Sequence, residues 1–265
     1  MKHKYSISIV LPCFNEAKSI QKNVDNIYRY LKDRFNSFEI ITVNDGSRDN
    51  TLSELKRIKT ENTIPIRIIS NKTNHGKGSA VTNGILKSKN EVVVFMDADL
   101  AVPIDELEQF LPEIDKGNDI VIASRFISEI KILKPVLWYR SIMEKIFRIL
   151  RMIIINNFDI QDTQCGFKVF TREAAFKIFP LLTVKRFSFD VEVIFLAKKM
   201  GYRIKELPII LQNPQASHIR IFSDSWNMFC DLIRIRLNEI GGKYKIEDTR
   251  NKKQDTNKNQ ETSSN

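Results

Sequence analysis

The sequence is poor in cysteine and has no long apolar run, and each shortage excludes a class of protein. Its three cysteines, Cys13, Cys165 and Cys230, are scattered among 265 residues and form no CxxC pair. This excludes a disulfide framework and a zinc ribbon, and it is typical of a reducing compartment. No stretch of about 18 uncharged apolar residues is present and the N-terminal apolar run is short, so neither a transmembrane helix nor a signal peptide is predicted.

Two nucleotide-binding motifs are missing as well. The chain has no GxxxxGK[ST] sequence, and no GxGxxG follows its first predicted strand, which excludes a P-loop and disfavours a dinucleotide fold. The formal charge of +10 indicates an anionic partner, such as nucleic acid, an anionic membrane or a phosphorylated substrate. Because the basic residues are spread along helices and the tail, with no recognised nucleic-acid module, no nucleic-acid partner is expected.

What the sequence does contain is an alternation of strand and helix patterns. Strands are predicted at residues 6–12, 38–45, 66–70, 91–99, 119–126 and 203–211, and helices at residues 15–35, 49–60, 76–88, 135–158, 171–180 and 224–240. This order predicts an α/β fold with a mostly parallel sheet and helices on both faces. We expect one domain over residues 1–241, with amphipathic helices at about 135–158 and 224–240, and a disordered polar tail over residues 242–265.

Ligands of such sheets bind at the carboxyl ends of the strands, where Asp97 and Asp99 fall in the sequence FMDAD. In an extended chain residues i and i+2 face the same way, so the two carboxylates are predicted to lie side by side. Such a pair is tolerated when a divalent cation with oxygen ligands, Mg²⁺ or Mn²⁺, lies between them and binds a diphosphate. The alternative is that Asp97 caps the following helix and Asp99 is merely exposed.

Two further motifs lie at predicted strand ends. NDGSRDNT places Asp45 in a turn, where the carboxylate either accepts hydrogen bonds from a base or ribose or only shapes the turn. NHGKGSA places Lys77 at the start of a helix, where its ammonium would face a phosphate.

Five motifs in order, IVLPCFNEAKSI, VNDGSRDNT, NHGKGSAVTNG, FMDAD and ASRF, resemble those of inverting nucleotide-sugar glycosyltransferases of family 2. The later DTQCGFKVF and FSFDVEVIFLAKKMGYRIKELPI resemble polyprenyl-phosphate glycosyltransferases, especially the dolichyl-phosphate β-glucosyltransferase branch. The resemblance implies a GT-A fold and metal-dependent transfer of glucose from UDP-glucose to a polyprenyl or dolichyl monophosphate. The alternatives are mannose from GDP-mannose or an N-acetylhexosamine as the sugar, a saccharide hydroxyl as the acceptor, or a catalytically inactive lipid- or nucleotide-binding protein.

The resemblance also implies roles for individual residues. The nucleotide sugar would be bound by Pro12, Asn15, Glu16, Asp45, Lys77 and Asp97. Asp97 and Asp99 would hold Mg²⁺ or Mn²⁺, and Ala101 stands where mannosyl relatives have a glutamine that assists the metal, which favours the glucosyl branch. The catalytic candidates, none of them assigned as a general base, are Asp99, Asp162 and Asp190. The acceptor phosphate would be bound by Arg125, Arg140, Lys168, His218 and Arg220.

A lipid acceptor requires contact with a membrane. The predicted helix over residues 135–158 has a basic stripe, and its apolar face would dip into lipid through Trp138, Ile142, Phe147 and Leu150. The alternative is that this face packs on the protein's own sheet. We expect a protein bound peripherally to the anionic cytoplasmic face of a membrane, and the sequence leaves its oligomeric state open.

Overall fold

A computed structural model describes residues 2–61, 64–127, 138–155, 159–209 and 221–244, without the side chains of residues 138–145 and 221–225. The centre of the described fold is a sheet of seven strands with the spatial order β3-β2-β1-β4-β6-β5-β7. In chain order the strands are β1 (Ile7–Cys13), β2 (Phe38–Asp45), β3 (Ile66–Asn71), β4 (Val92–Met96), β5 (Ile120–Ser124), β6 (Phe167–Thr171) and β7 (Ile204–Pro208).

Helices cover both faces of this sheet. Those in the described ranges are α1 (Ile20–Arg34), α2 (Thr51–Glu61), α3 (Lys77–Ile85), α4 (Leu107–Asp115), α5 (Trp138–Ile155), α6 (Arg172–Ile178), α7 (Phe189–Lys199) and α8 (Ile221–Ile240). Because successive strand residues face opposite sides, β1 contributes to two cores. Ile9 packs in the core that includes Phe110 of α4, and Val10 packs in the core that includes Val81 of α3.

The predicted mostly parallel sheet is confirmed, with one antiparallel strand that the sequence did not reveal. β6 runs antiparallel to both β4 and β5, whereas the other described strand pairs are parallel. No strand is predicted here because Lys168 interrupts the apolar run FKVF, yet Lys168 is buried in the sheet with the residues beside it. Helix α4 was also missed, because it is short and contains Pro112.

Two predicted boundaries at the site are corrected. β4 ends at Met96 rather than at Asp99, and residues 97–100 form a turn in which Leu100 has a positive φ of 52°. The two aspartates are therefore brought together by a turn and not by the alternation of an extended strand. Helix α1 begins at Ile20 rather than at residue 15, because Asn15 has a φ of 60°, which is incompatible with a right-handed helix.

The folded chain also extends beyond the predicted domain boundary at Gly241. Tyr244 is buried, and its hydroxyl donates a hydrogen bond to Oε1 of the buried Glu192 (2.6 Å). This contact ties the end of the C-terminal helix to α7. Residues 245–265, which include most of the predicted tail, lie outside the described residues.

Gly84 allows α3 to approach the sheet closely, and this makes a first prediction. A Cβ at Gly84 would lie 2.3 Å from Cγ1 of Val10 and 3.0 Å from Cγ2 of Val43, and both valines are fully buried. Gly84→Ala is expected to lower the free energy of unfolding by about 1–3 kcal/mol, because neither β-branched side chain can move aside. Urea unfolding would measure the loss, with the half-exposed neighbour Asn83→Ala as control. An unchanged unfolding free energy in G84A would contradict the close packing described here.

Candidate active site

An ion pair between Lys77 and Asp97 lies at the carboxyl edge of the sheet. β4 ends just before Asp97 and α3 begins at Lys77, so the two side chains meet with Nζ 2.7 Å from Oδ1. The Lys77 ammonium also lies 5.4 Å from the centroid of the Phe95 ring. Burial lowers the pKa of Lys77, but the carboxylates of Asp97 and Asp190 outweigh burial and raise it, so the ammonium stays charged.

Asp99 lies in the turn that follows β4, where its Oδ1 accepts a hydrogen bond from Ala101 N (3.0 Å). Burial raises the pKa of Asp99, and the nearby Asp97 carboxylate raises it as well, so a cation at this turn would stabilise the ionised pair. Within the described residues, no cluster of three or more acidic, histidine or cysteine side chains could hold a metal ion. Two carboxylates completed by substrate phosphates are nevertheless a donor set that Mg²⁺ uses, so these residues fit such a cation.

The loops that follow β1 and β2 are joined by hydrogen bonds at the same edge. Asn15 N donates to Ser47 Oγ (3.0 Å), and Arg48 N donates to Asn15 Oδ1 (2.8 Å). Glu16 N donates to Thr51 Oγ1 (2.8 Å). The structure thus brings together, near the end of β1, three of the predicted nucleotide-binding residues, Pro12, Asn15 and Glu16.

Asp45 lies at the carboxyl end of β2, as predicted, and its carboxylate is held by a turn. It is only 3 % exposed, and its two carboxylate oxygens accept hydrogen bonds from Asn71 Nδ2 (2.8 Å), His75 N (3.0 Å and 3.2 Å) and Gly76 N (2.8 Å). Asp45 therefore fixes the turn that leads into α3 and Lys77. Its predicted bond to a base or ribose stays a prediction.

Lys168 and Asp190 form an ion pair beneath the surface of the site. Lys168 Nζ lies 2.5 Å from Asp190 Oδ1 and donates to Cys165 O (2.7 Å), and both side chains are almost completely buried. The predicted contact of Lys168 with an acceptor phosphate is therefore not supported by its placement, because the ammonium is engaged inside the fold. Asp190 likewise faces the interior, where its carboxylate also raises the pKa of Lys77.

Arg125 and Asp162 form another ion pair, in which the Arg125 side chain is partly exposed. Arg125 Nε and Nη2 donate to the two carboxylate oxygens of Asp162 (2.6 Å and 2.9 Å), and Arg125 N donates to Asp162 Oδ2 (3.1 Å). Burial would raise the pKa of Asp162, but the Arg125 guanidinium and these hydrogen bonds lower it below the usual range. Asp162 belongs to the segment of residues 159–166 that leads into β6, named here the 159–166 loop.

The 159–166 loop reaches Asp97 through Gly166. Gly166 O accepts a hydrogen bond from Asp97 N (2.9 Å), and a Cβ on Gly166 would lie 1.9 Å from Oδ2 of Asp97. Only glycine permits this approach without displacing the carboxylate. Sequence reasoning missed Gly166, although a glycine at the start of an apolar run is a recognised sign that another group approaches the backbone.

Comparison with known proteins identifies the family. The family model described as Glycosyl transferase family 2 matches residues 8–179. The chain belongs to glycosyltransferase family 2. This glycosyltransferase is 34 % identical to the dolichyl-phosphate beta-glucosyltransferase of Dictyostelium discoideum, over 91 % of this chain and 76 % of that protein. It is 32 % identical to the Homo sapiens protein of the same name, over 92 % of this chain and 79 % of that protein.

Solved structures confirm the GT-A fold of this glycosyltransferase. Mannosyl-3-phosphoglycerate synthase from Rubrobacter xylanophilus superposes with a TM-score of 0.66 at 19 % identity, covering 91 % of this chain and 76 % of that one. Glucosyl-3-phosphoglycerate synthase from Mycobacterium tuberculosis, in a complex with Mn²⁺, UDP and phosphoglyceric acid, gives a TM-score of 0.64 at 20 % identity, covering 93 % and 81 %. At these identities the similarity establishes the fold alone.

Three predicted phosphate-binding residues of the glycosyltransferase fall outside the described side chains. Arg140 lies on α5, in the part whose side chains are not described. His218 and Arg220 lie in the interval between residues 209 and 221, outside the described residues. Their predicted contact with an acceptor stays a prediction.

Helices α5 and α8 contact each other, and their apolar residues divide between two faces. The prediction that Phe147 and Leu150 dip into lipid is wrong, because both pack against the core of the protein. The exposed row on α5 is instead Ile146, Ile149 and Ile153, and on α8 it is Trp226, Ile233, Leu237 and Ile240. Trp138 and Ile142 lie where side chains are not described.

Among the helices of the described ranges, none is both long and apolar enough to cross a bilayer.

Gly166 gives the second prediction. Gly166→Ala is expected to push the Asp97 carboxylate away and break its 2.7 Å pair with Lys77, because the new Cβ would overlap Asp97. For the metal ion and nucleotide sugar predicted from the sequence, tested as Mn²⁺ with UDP, we expect the affinity to fall about tenfold or more, measured by isothermal titration calorimetry. Gly241→Ala, at an exposed glycine after α8, is the matched control and should bind as wild type. Equal affinity of G166A and wild type would show that Asp97 does not depend on this contact.

Proposed function

We propose that this protein is an inverting hexosyltransferase that transfers glucose from UDP-glucose to a polyprenyl monophosphate such as dolichyl phosphate. The observation that carries the proposal is the turn of Asp97 and Asp99 at the carboxyl edge of the sheet, with the Lys77 ammonium 2.7 Å from Asp97. The choice of sugar and acceptor is supported by relatives named dolichyl-phosphate beta-glucosyltransferase, which are 32–34 % identical to this chain in Dictyostelium discoideum, Homo sapiens and Saccharomyces cerevisiae.

The metal requirement is part of the proposal. Asp99 would be the principal ligand of a Mg²⁺ or Mn²⁺ ion, with Asp97 assisting, because Asp97 is already paired with Lys77. When bound, such an ion supplies charge that stabilises the diphosphate leaving group. Lys77 would add a second positive charge beside the same diphosphate, and its raised pKa keeps that charge in place.

The reaction would be an in-line displacement at the anomeric carbon of the sugar. An oxygen of the acceptor phosphate forms a bond to this carbon as the bond to the diphosphate breaks, and the bonding electron pair leaves with UDP while the configuration inverts. Because the acceptor oxygen is already anionic, no strong general base is needed. The protein would act by positioning and electrostatics, with Arg125, oriented by Asp162, as the described cation best placed for the acceptor phosphate.

We infer that the exposed rows of α5 and α8 dock on an anionic lipid surface, where a polyprenyl acceptor resides. Ile153 is 65 % exposed and Ile240 is 73 % exposed, so each row offers apolar side chains without a partner in the described fold. Besides the buried Arg151, the sequence of α5 has three basic residues and one acidic residue, which complements anionic headgroups. Two exposed apolar rows beside the basic residues of α5 suit the interface of an anionic membrane.

Asp99→Asn tests the catalytic proposal. Purified protein, labelled UDP-glucose, Mn²⁺ and polyprenyl phosphate should give labelled lipid with wild type, and about 100-fold less with D99N, because an amide cannot supply the same charge. Removing the metal with a chelator should abolish transfer, and added Mn²⁺ should restore it. Asp105→Asn, at an exposed aspartate on the next turn, is the control.

Two outcomes would contradict this reading. Transfer by D99N at the wild-type rate, or transfer that a chelator does not affect, would remove the metal from the mechanism. If wild type is inactive with UDP-glucose, then UDP-N-acetylglucosamine and GDP-mannose would show whether only the donor is wrong.

Sedimentation with lipid vesicles tests the docking surface. The double variant Ile149→Glu/Leu237→Glu is expected to bind anionic vesicles about tenfold more weakly than wild type, because it places charge in both exposed rows. Wild-type binding should also weaken as salt rises, since the basic flank contributes. Leu86→Glu, at an exposed leucine just after α3, controls for a surface leucine outside the rows. Vesicle binding that is absent in wild type, or unchanged in the double variant, would contradict the docking surface.

A further inference from the structure

The 159–166 loop is held by charged side chains from three different elements. Glu206 of β7 accepts hydrogen bonds from Gln161 N (2.9 Å) and Asp162 N (2.7 Å). A positively charged side chain holds the backbone carbonyls of the same loop. Arg151 of α5 donates through Nη2 to Ile160 O (3.0 Å) and Gln161 O (3.3 Å). Arg125, just after β5, pairs with the Asp162 side chain, so backbone amides, carbonyls and a carboxylate of one short loop are all fixed.

Arg151 is the least expected member of this set. It is 2 % exposed, and its Nε and Nη1 have no hydrogen-bond partner in the described part of the chain. Burying a guanidinium with two nitrogens unpaired is unfavourable, and burial lowers the pKa of Arg151. Its countercharges are Asp162 and Glu206, whose carboxylates act on it in the opposite direction. With Arg125 these residues form a cluster of two positive and two negative groups.

The loop that Arg151 holds reaches the candidate metal-binding turn. Its last residue, Gly166, accepts the hydrogen bond from Asp97 N (2.9 Å) and lies directly under the Asp97 carboxylate. Its Asp162 orients Arg125, the proposed acceptor-binding cation. A displacement of the loop would therefore move groups on both sides of the reacting phosphates.

We propose that Arg151 is a positioning residue for glycosyl transfer, which holds the 159–166 loop and through it Asp97 and Arg125. Arg151 also lies on α5, whose opposite side presents the exposed row Ile146, Ile149 and Ile153. One buried side chain thus connects the helix that docks on lipid to the loop that borders the catalytic turn. This inference rests on the proposed function, since it names a further residue of the same site.

The alternative is that Arg151 only stabilises the fold, and three variants separate the two roles. Arg151→Met removes charge and hydrogen bonds, whereas Arg151→Lys retains the charge that faces Asp162 and Glu206. Arg148→Met is the matched control, because Arg148 precedes Arg151 by one turn of α5, is half-exposed and contacts the face of the Phe126 ring. Hydrogen exchange of the loop amides, affinity for Mn²⁺ and UDP, vesicle binding, and kcat are measured for each variant.

A positioning role predicts a specific combination of results. In R151M, exchange should accelerate in the 159–166 loop and not in β1, the affinity for Mn²⁺ and UDP should fall about tenfold, and kcat should fall about 10- to 100-fold. Vesicle binding should stay as in wild type, because the exposed row is untouched. R151K should recover part of each loss. R148M should match wild type in loop exchange, nucleotide affinity and kcat, and lose only a little vesicle binding because it removes one basic residue of α5.

Other results would overturn the proposal. They are an affinity and kcat of R151M equal to those of wild type, a loss of affinity and kcat in R148M as large as in R151M, or hydrogen exchange that accelerates uniformly across the sheet. If R151M does not fold, R151K and Glu206→Gln replace it in the same measurements. Each weakens the hydrogen bonds that hold the 159–166 loop without placing an apolar side chain at position 151. If wild type transfers no sugar to lipid, the proposed function fails, while the exchange and nucleotide-binding measurements still decide the role of Arg151.

Discussion

Two aspartates within one turn at a buried strand end repel each other when ionised, and the charged groups around the turn are arranged about that repulsion. Burial raises the pKa of Asp99, and the neighbouring Asp97 adds to the effect. Lys77 offsets only one of the two charges, at 2.7 Å from Asp97. This partial neutralisation matters because a turn with its own full set of cations would have little attraction left for a metal ion with its diphosphate. The remaining negative charge is what would attract the proposed metal ion.

The interior behind this turn is built to keep Lys77 and Asp97 in place. Lys168 and Asp190 form a buried pair at 2.5 Å, and the ammonium groups of Lys77 and Lys168 lie 5.4 Å and 5.5 Å from the centre of the Phe95 ring. A buried pair of this kind resists disruption, because removing one partner leaves an uncompensated charge in the protein interior. The pair is therefore a fixed part of the charged surroundings of Lys77, whose ammonium lies 2.7 Å from Asp97.

The sequence predicted the fold class because it depends on local patterns. Alternating strand and helix periods indicated the parallel sheet, and FMDAD placed two aspartates at the end of β4, although they lie in a turn and not in an extended strand. The features that the sequence did not reveal depend on contacts between residues far apart in the chain. Strand β6 was hidden because Lys168 looks like a surface residue until Asp190, 22 residues later, is seen to neutralise it. The contact of Gly166 with Asp97 has the same origin, since 69 positions separate the two residues in the chain.

The position of Asp45 and the orientation of α5 show a second limit of sequence reasoning. Asp45 is at a strand end as predicted, but its carboxylate is taken up by backbone amides of a turn that only the folded chain brings near. Helix α5 is apolar on more than one side, so periodicity alone could not decide which side faces the core. Packing determines which side faces the core: Phe147 and Leu150 pack against it, whereas Ile149 and Ile153 are exposed.

Directional polar contacts hold both helices with exposed apolar rows, α5 and α8, to the rest of the described fold. On α8 the Asn238 amide donates to Thr183 Oγ1 (3.0 Å), and just beyond that helix the Tyr244 hydroxyl donates to Glu192, two residues from Asp190 on α7. On α5 the corresponding group is Arg151. Apolar packing alone would allow the helices to slide, whereas buried hydrogen bonds with defined partners fix their register. The proposed transfer, between one substrate from water and one from a membrane, requires this rigidity, because the two substrates must meet within bonding distance.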